Sequence, residues 1–466
     1  MEISQAALRR GADDMKVWRH RSFAVLAIVS SIVLAPGVRA ETFTLEQALS
    51  AAYENNFRLQ AGRADLRGTD EDVAKALSGW RPSASISGNY GVNSSYVNPF
   101  YPVPGGHPRS IGATIAQPIY NPLVIPQTQQ AKADVRAGRA TLTSIEQQVL
   151  LAAATAYFDV VQAEGNLQIE RDNASLLDRQ LQSMNVRLSH GDVTRTDVSL
   201  VSSRLSSAKS DIAFAEADLA ARRATFEQVI GRPAETLDVA AVLPRTESSE
   251  GSALTFALAS NPDLLAAREK VSSADAATDV ASAELHPVLS VQGRFRQSHD
   301  ELAPRVFNSD LSAFLQLTVP IYQGGGEQAA IRKAKELETA AVMRMNDVQT
   351  QVRQIVHTAW QARDAAGRAI LQNKAQVEAS LAAYDGAEQE VKGGERTTYD
   401  LLNAAQDLLS ARLALARSQR ELSVATYRLL AVTGGLTASA LKLPVKIYDP
   451  VEHYDDNAGR WFGFGK

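Results

Sequence analysis

The chain has no cysteine, and aromatic residues make up only 6% of its 466 residues. The absence of cysteine excludes disulfides, zinc sites built on thiolates, a cysteine nucleophile and an N-terminal lipid-bearing cysteine. The scarcity of aromatics, together with abundant alanine, leucine, glutamine and arginine, favours long helices over a β-rich globule. No basic tract in the sequence suggests a nucleic-acid partner.

Motifs of catalysis and cofactor binding are also missing from the sequence. The seven histidines are scattered, and none belongs to a His-Glu-x-x-His motif. Glycines 324–326 lack the Lys-Ser/Thr of a phosphate loop, and residues 206–209 match Ser-x-x-Lys without its partner motifs. We therefore expect no enzyme activity, no cofactor and no bound metal.

The N-terminus has the organisation of a secretory signal. Basic residues within 16–21 precede an apolar run at 23–34, and the Val-Arg-Ala at 38–40 is a plausible cleavage site. We predict a signal peptide over residues 1–40; if Met15 is the true start, residues 1–14 are an upstream extension. A signal anchor is the alternative, although the apolar run is short for a membrane span.

Two segments carry a strict seven-residue hydrophobic repeat, which is typical of a coiled-coil seam. The repeat runs from Val198 to Phe226 in the first segment and from Leu401 to Leu429 in the second. Matched positions are 203 residues apart, and similar turns precede them: Gly-Asp-Val-Thr-Arg-Thr-Asp-Val at 191–198 and Gly-Glu-Arg-Thr-Thr-Tyr-Asp-Leu at 394–401. The sequence therefore predicts two structural repeats with the same order of elements.

Each half of the chain follows the same predicted order of elements. The first repeat, 41–240, has a helix from about 44 to 79, a β-hairpin at 83–120, and helices at 127–189 and 195–230. The second repeat, 241–440, has a helix, a β-hairpin at 288–322, and helices at 327–392 and 398–432. A C-terminal tail, 441–466, completes the chain, and we expect its polar end from 449 to be poorly ordered.

The hairpin strands alternate apolar and small polar residues, as membrane β-strands do, although a soluble hairpin is the alternative. Four such strands are too few to close a membrane barrel, which takes about eight. Because open sheet edges cannot face lipid, membrane insertion requires several chains to pool their strands, and three copies would supply about twelve. The expected fold class is mainly α with a membrane β-barrel portion.

Together these features resemble the TolC family of outer-membrane exit ducts over essentially the whole predicted mature chain. The duplicated plan, the two turns and the Leu-x-Val-Pro-Ile-Tyr-x-Gly-Gly at 317–325 carry the resemblance. It implies a homotrimer with a twelve-stranded barrel in outer-membrane lipid, continued by a twelve-helix tunnel through the periplasm. A periplasmic adaptor and an inner-membrane transporter are the implied partners, and secreted proteins or small toxic compounds are the implied cargo. The first turn and residues 429–437 look most like the type I secretion subgroup.

The resemblance also gives roles to residues at the turns. Thr196 and Asp197 match gate positions, Arg396 matches the gate arginine, and Asp400 matches the first aspartate of a constriction ring. Asn403 stands at the second position of this ring, so we expect the ring to trap multivalent cations more weakly. Val391 stands at the position of the gate tyrosine. The residues expected to contact the adaptor are Gly191, Asp192, Val193, Gly393, Gly394 and Glu395. The family usually has an apolar residue at the position of Asp192, which leaves open which adaptor fits.

A purely structural role for the two aspartates is the alternative. A carboxylate in the first turn of a helix offsets the positive end of the helix dipole, and Thr194, Thr196 or Thr397 can cap. Two functions from different classes therefore remain for the whole chain. One is a passive duct; the other is a non-transporting coiled-coil structural or surface protein, which does not explain two hairpins placed identically in both halves.

Overall fold

The computed structural model describes residues 42–92, 96–98, 101–102, 106–239, 243–301 and 305–463, so the predicted signal peptide and its alternative lie outside the described residues. The first repeat comprises α1 (Leu45–Asn55), α2 (Phe57–Leu77), β1 (Ser83–Tyr90), a short ribbon of β2 (Tyr96–Asn98) and β3 (Tyr101–Pro102), β4 (Arg109–Tyr120), α3 (Val124–His190) and α4 (Arg195–Ile230). The second repeat comprises α5 (Glu250–Ser260), α6 (Pro262–Ala283), β5 (Val288–His299), β6 (Phe307–Thr318), α7 (Gly326–Lys392) and α8 (Thr398–Thr433), and a short α9 (Glu452–Asn457) follows.

Four long helices dominate the structure. α3 and α7 contain 67 residues each, and α4 and α8 contain 36 each. At a rise of 1.5 Å per residue, α3 and α7 are each about 100 Å long. α4 returns along α3 and α8 returns along α7. On the α8 seam Leu408 is buried, whereas Leu415 is only half-buried in the single chain.

The expected helix from about 44 to 79 is in fact two helices, because Asn56 breaks it. The Asn56 backbone is extended, and its side-chain oxygen accepts hydrogen bonds from the first N–H groups of α2. Its side-chain amide donates to the Val229 carbonyl at 3.0 Å, close to the end of α4. Asn261 does the same in the second repeat, donating to the Val432 carbonyl at 2.9 Å. Each asparagine therefore ties the end of a returning helix to the short helices of its own repeat.

One antiparallel sheet joins the two repeats, with its strands in the order β1-β4-β5-β6. β1 ends at Tyr90, and part of the segment that follows lies outside the described residues. Among the described strands, β1 and β6 have a partner on one side only, so they form the two edges of the sheet.

The sheet has one apolar face. Residues that lie in register across the four strands share a face, and one such row consists of Ile86, Ala113, Phe295 and Leu311. In the single chain Ile86 is 80% exposed and Leu311 is 82% exposed. Large aliphatic side chains at this exposure indicate a surface that meets lipid or another chain. Within the part of the chain that the structure describes, no helix is both long enough and apolar enough to cross a membrane.

The expectation of a poorly ordered C-terminal end is wrong for residues 449–463. α9 packs against α2, where His453 Nδ1 lies 3.2 Å from the carboxylate of the buried Asp70. Further along, the Arg81 guanidinium donates to the Arg460 carbonyl at 2.6 Å and lies over the Trp461 ring. These contacts, rather than an apolar sequence pattern, order the segment.

Candidate functional site at the helix turns

The two turns that join the long helices have the same backbone structure. In the first turn Gly191 has a φ of 83°, and the N–H of Asp192 donates to the Arg187 carbonyl at 3.0 Å. In the second turn Gly394 has a φ of 79°, and the N–H of Glu395 donates to the Glu390 carbonyl at 2.9 Å. Both are Schellman motifs, in which a glycine takes the left-handed conformation that other residues rarely adopt. The matched residues are again 203 positions apart.

The returning helices begin with matched capping boxes. Asp197 Oδ2 accepts hydrogen bonds from the Thr194 N–H at 3.0 Å and from its hydroxyl at 2.7 Å. Asp400 Oδ2 accepts the corresponding bonds from Thr397 at 3.2 and 2.6 Å. These hydrogen bonds hold the pKa of both carboxyl groups below the usual value. Thr194 and Thr397 are therefore the caps, whereas Thr196 lies exposed in the first turn of α4.

Arg396 binds within its own turn. Its Nε lies 2.6 Å from Glu390 Oε2, and both side chains are about half exposed. Asp197 is bonded to Thr194 and not to Arg396. Arg396 also lies close enough to Asp400 to add to the lowering of that carboxyl group's pKa by Thr397. The first turn has no equivalent ion pair, since Arg187 and Val193 stand at the matched positions.

The two helix pairs share one hydrophobic core next to the turns. It contains at least one buried residue from each long helix: Met184 from α3, Val201 from α4, Val391 from α7 and Leu401 from α8. Beside this core a groove of about 430 Å³ opens between α3 and α7. Val391, for which the resemblance implied the position of a gate tyrosine, packs in this core.

Thr398 lies at the junction of the two helix pairs, and the sequence did not single it out. It is buried, its hydroxyl lies 4.0 Å from the Met184 sulfur, and it lies near enough to Asp197 to add to the lowering of that carboxyl group's pKa by Thr194. The matched residue in the first repeat is Arg195, which is exposed. This departure from the repeat was the one sequence signal that could have pointed to Thr398.

The residues expected to contact an adaptor are mostly accessible. Gly191, Asp192, Gly393, Gly394 and Glu395 are exposed at the ends of the helices, while Val193 is half-buried against the shared core. Asn403 lies one turn after Asp400 on α8 and is half-buried. Among the described residues, no group of three or more His, Asp or Glu side chains is arranged to hold a metal ion.

Comparison with known proteins decides the family. The family model described as "Outer membrane efflux protein" matches residues 48–232 and 253–435, one stretch in each repeat. The chain belongs to this family. It is 33% identical over 444 residues to the outer membrane efflux protein BepC of Brucella suis, covering 94% of this chain and 95% of BepC. It is also 25% identical over 422 residues to the outer membrane protein TolC of Vibrio cholerae, covering 87% and 93% of the two chains.

Solved structures confirm the fold class. The structure of CusC superimposes with a TM-score of 0.74 at 15% sequence identity, covering 86% of this chain and 96% of CusC. As a TolC-family outer membrane efflux protein, the chain resides in the outer membrane and forms a channel through which export substrates leave the cell. The family is one of transport channels and not of enzymes. The alternative of a non-transporting coiled-coil protein is not favoured.

Proposed function

We propose that the channel is a homotrimer whose barrel closes through the edge strands β1 and β6. The free sheet edges carry this proposal, because unpaired backbone groups in lipid cost several kcal/mol each. The sheet is antiparallel throughout, so β6 of one copy and β1 of the next run in opposite directions when identical copies follow head to tail around an axis. Three copies of the four-stranded sheet supply the roughly twelve strands of a closed barrel.

Disulfide trapping tests this closure. Because the chain has no cysteine, only the introduced cysteines can form disulfides. Ser85→Cys in β1 is combined in turn with Asn308→Cys, Ser312→Cys or Gln316→Cys in β6. At least one pair should bring Cα atoms within the roughly 7 Å that a disulfide allows and yield covalent dimers and trimers. Ser85→Cys with Ser290→Cys in the internal strand β5 is the matched control and should give monomers. Native mass measurement in detergent should return three chains, and a stable monomer would contradict the proposal.

The proposed partners are a periplasmic adaptor and an inner-membrane transporter, which supply the energy that a passive channel lacks. The exposed turn residues Gly191, Asp192, Val193, Gly393, Gly394 and Glu395 are the proposed adaptor contacts. Asp192→Arg and Glu395→Arg each reverse a charge at an exposed position after the turn glycine. Both variants should reduce adaptor co-purification while trimer yield stays normal. Unchanged co-purification would remove the turns from the adaptor interface.

We also propose that the turns form the periplasmic gate, with Thr196, Asp197, Arg396, Asp400 and Asn403 lining it. Support comes from the convergence of the two turns on one core and from the contacts of Thr398 with α3 and α4. Closure is then a two-state equilibrium, which a docked adaptor shifts only by binding the open state more tightly. Asn403 in place of a ring carboxylate should weaken block by multivalent cations.

Single-channel conductance of the purified protein tests the gate. Arg396→Ser, Asp197→Ala and Thr398→Val should each raise conductance, because each removes a contact next to the shared core. Thr426→Val is the matched control, because among the described residues the hydroxyl of this buried threonine donates only to the Leu422 carbonyl within α8. Conductance equal to that of Thr426→Val in all three variants would leave these residues with capping and packing roles only.

The resemblance of the turns to the type I secretion subgroup stays a prediction about cargo. A deletion strain distinguishes the two cargo classes. Loss of secretion of one protein would support type I secretion, whereas sensitivity to many small toxic compounds would support efflux.

A further inference from the structure

The face of the sheet opposite the apolar face is lined by small polar residues and few charges. One row in register consists of Ser85, Thr114, Arg294 and Ser312, and the next row along the strands consists of Ser87, Gly112, Arg296 and Asp310. In the described strands, the charged residues on this polar face are Arg294, Arg296 and Asp310. In the proposed trimer the apolar face meets lipid, so the polar face lines the lumen of the barrel.

Two of the three charged residues already have polar partners. Arg296 forms an ion pair with Glu301, and Asp310 Oδ1 accepts a hydrogen bond from the Ser312 hydroxyl at 3.2 Å. Arg294 differs, because no carboxylate among the described residues pairs with it. Its guanidinium instead lies 5.7 Å from the ring centre of Phe314, which belongs to the same polar face. Arg294 is therefore an exposed cation held by an aromatic ring.

We propose that Arg294 and Phe314 form a binding site for aromatic carboxylates in the barrel lumen, repeated once per chain. This inference rests on the proposed trimer and names a cargo class for it. A guanidinium binds carboxylates through two parallel N–H donors, and the phenylalanine ring offers an apolar surface to the aromatic part of such a compound. Three identical cations at one height in the lumen also raise the local concentration of anions and lower that of cations.

The site acts over a short range. Its field falls off within about 8 Å at physiological salt, so it attracts anions that pass close to the lumen wall. Residues 93–105 and 302–304 include no charged residue, so these parts of the hairpin loops add no counter-charge to the barrel. The height of Arg294 in the middle of β5 separates this site from the carboxylates of the helix turns.

Sided block of single-channel current tests the proposal. Purified protein is inserted into planar bilayers at low salt, and benzene-1,3,5-tricarboxylate or citrate is added on the barrel side. The aromatic trianion should reduce the current, and Arg294→Gln should weaken its block about tenfold, the effect of losing one charge-assisted contact. Phe314→Leu should weaken block by the aromatic trianion several-fold and leave block by citrate unchanged. Arg294→Lys, which keeps the charge, should retain citrate block.

The double variant Arg296→Gln/Glu301→Gln is the matched control, because it removes a neutral ion pair without changing the net charge, and it should change block less than about twofold. Equal block of wild type and Arg294→Gln in channels of normal conductance would overturn the aromatic-carboxylate site while leaving the trimeric channel intact. Absence of channels from the wild-type protein would instead overturn the proposed function on which the site rests.

Discussion

Three glycines at the ends of long helices offer a graded test of how tightly those ends are packed. Gly191, Gly231 and Gly434 each follow a long helix and have φ values of 83°, 80° and 90°. Alanine at any of them adopts the left-handed conformation at a similar cost of about 1–2 kcal/mol. The three sites differ in the space around an added Cβ, so differences between the alanine variants report packing.

The space around the three glycines decreases in a definite order. An added Cβ at Gly191 has no atom within 4 Å, at Gly231 it lies 3.2 Å from the Asn55 Cβ, and at Gly434 it lies 2.5 Å from the Ser260 carbonyl oxygen. The Asn55 side chain can give way by a few tenths of an ångström, whereas a backbone carbonyl moves only with α5. Overpacking of this kind costs about 1–3 kcal/mol. We therefore expect total losses of about 1–2 kcal/mol at Gly191 and about 2–5 kcal/mol at Gly434, with Gly231 between them.

Thermal unfolding in detergent, followed by far-UV circular dichroism at a fixed protein concentration, measures the order. Fixed concentration is needed because the stability of an oligomer depends on it. Gly251→Ala, in the first turn of α5 with nothing within 4 Å of an added Cβ, controls for the substitution itself and should cost nothing. Equal losses at the three positions, or a larger loss at Gly191 than at Gly434, would refute the packing of the α8 end against Ser260.

Two further predictions concern buried polar groups. The Tyr157 hydroxyl donates to the Asp238 carbonyl at 2.7 Å, so Tyr157→Phe should cost about 1 kcal/mol. Tyr427→Phe should cost less, because the Tyr427 hydroxyl has no hydrogen-bond partner among the described residues. Comparison of the unfolding midpoints of the two variants measures the difference. Burial raises the pKa of Glu146 above 4.5, so the folded state binds more protons and stability falls as the pH rises from 4.5 through the folded-state pKa. The Ala438 N–H lies 2.7 Å from the Glu146 carboxylate, and the amide oxygen of Glu146→Gln can accept the same hydrogen bond. Glu146→Gln should therefore flatten this part of the pH profile of the unfolding midpoint. An unchanged slope would show that another group causes the pH dependence.

The backbone structure of the turns could be predicted from the sequence because the residues that determine it are close together in the chain. Gly191 and Gly394 mark the left-handed stops of α3 and α7, and the Thr-x-x-Asp spacing that follows each of them is a capping box within one helical turn. The fold class followed from the seven-residue repeat and from strands with one apolar face, and structural comparison confirms it. The gate and adaptor roles of the turn residues came from resemblance alone, so they stay predictions.

The contacts that the sequence did not reveal join residues far apart in the chain. Asn56 breaks the first helix by binding a carbonyl 173 residues away, and His453 orders the C-terminal segment on a carboxylate 383 residues away. No local pattern distinguishes Asn56 from a tolerated asparagine within a helix, since the deciding partner lies in another element. The repeat itself held the available clue, because Asn261 stands 205 positions later and precedes a proline.

The differences between the repeats say more about a gate than the agreement between them does. If the two turns carried identical side chains, their contacts would stabilise both helix pairs equally. Nothing would then favour movement of one pair over the other. The backbones of the turns do agree, but Arg187, Val193 and Arg195 of the first correspond to Glu390, Arg396 and Thr398 of the second. The second turn therefore carries both the ion pair and the buried threonine that reaches the other helix pair. On this reasoning α7 and α8 are the pair that moves in the proposed gate, and substitutions in the second turn should raise conductance more than those at the matched positions of the first.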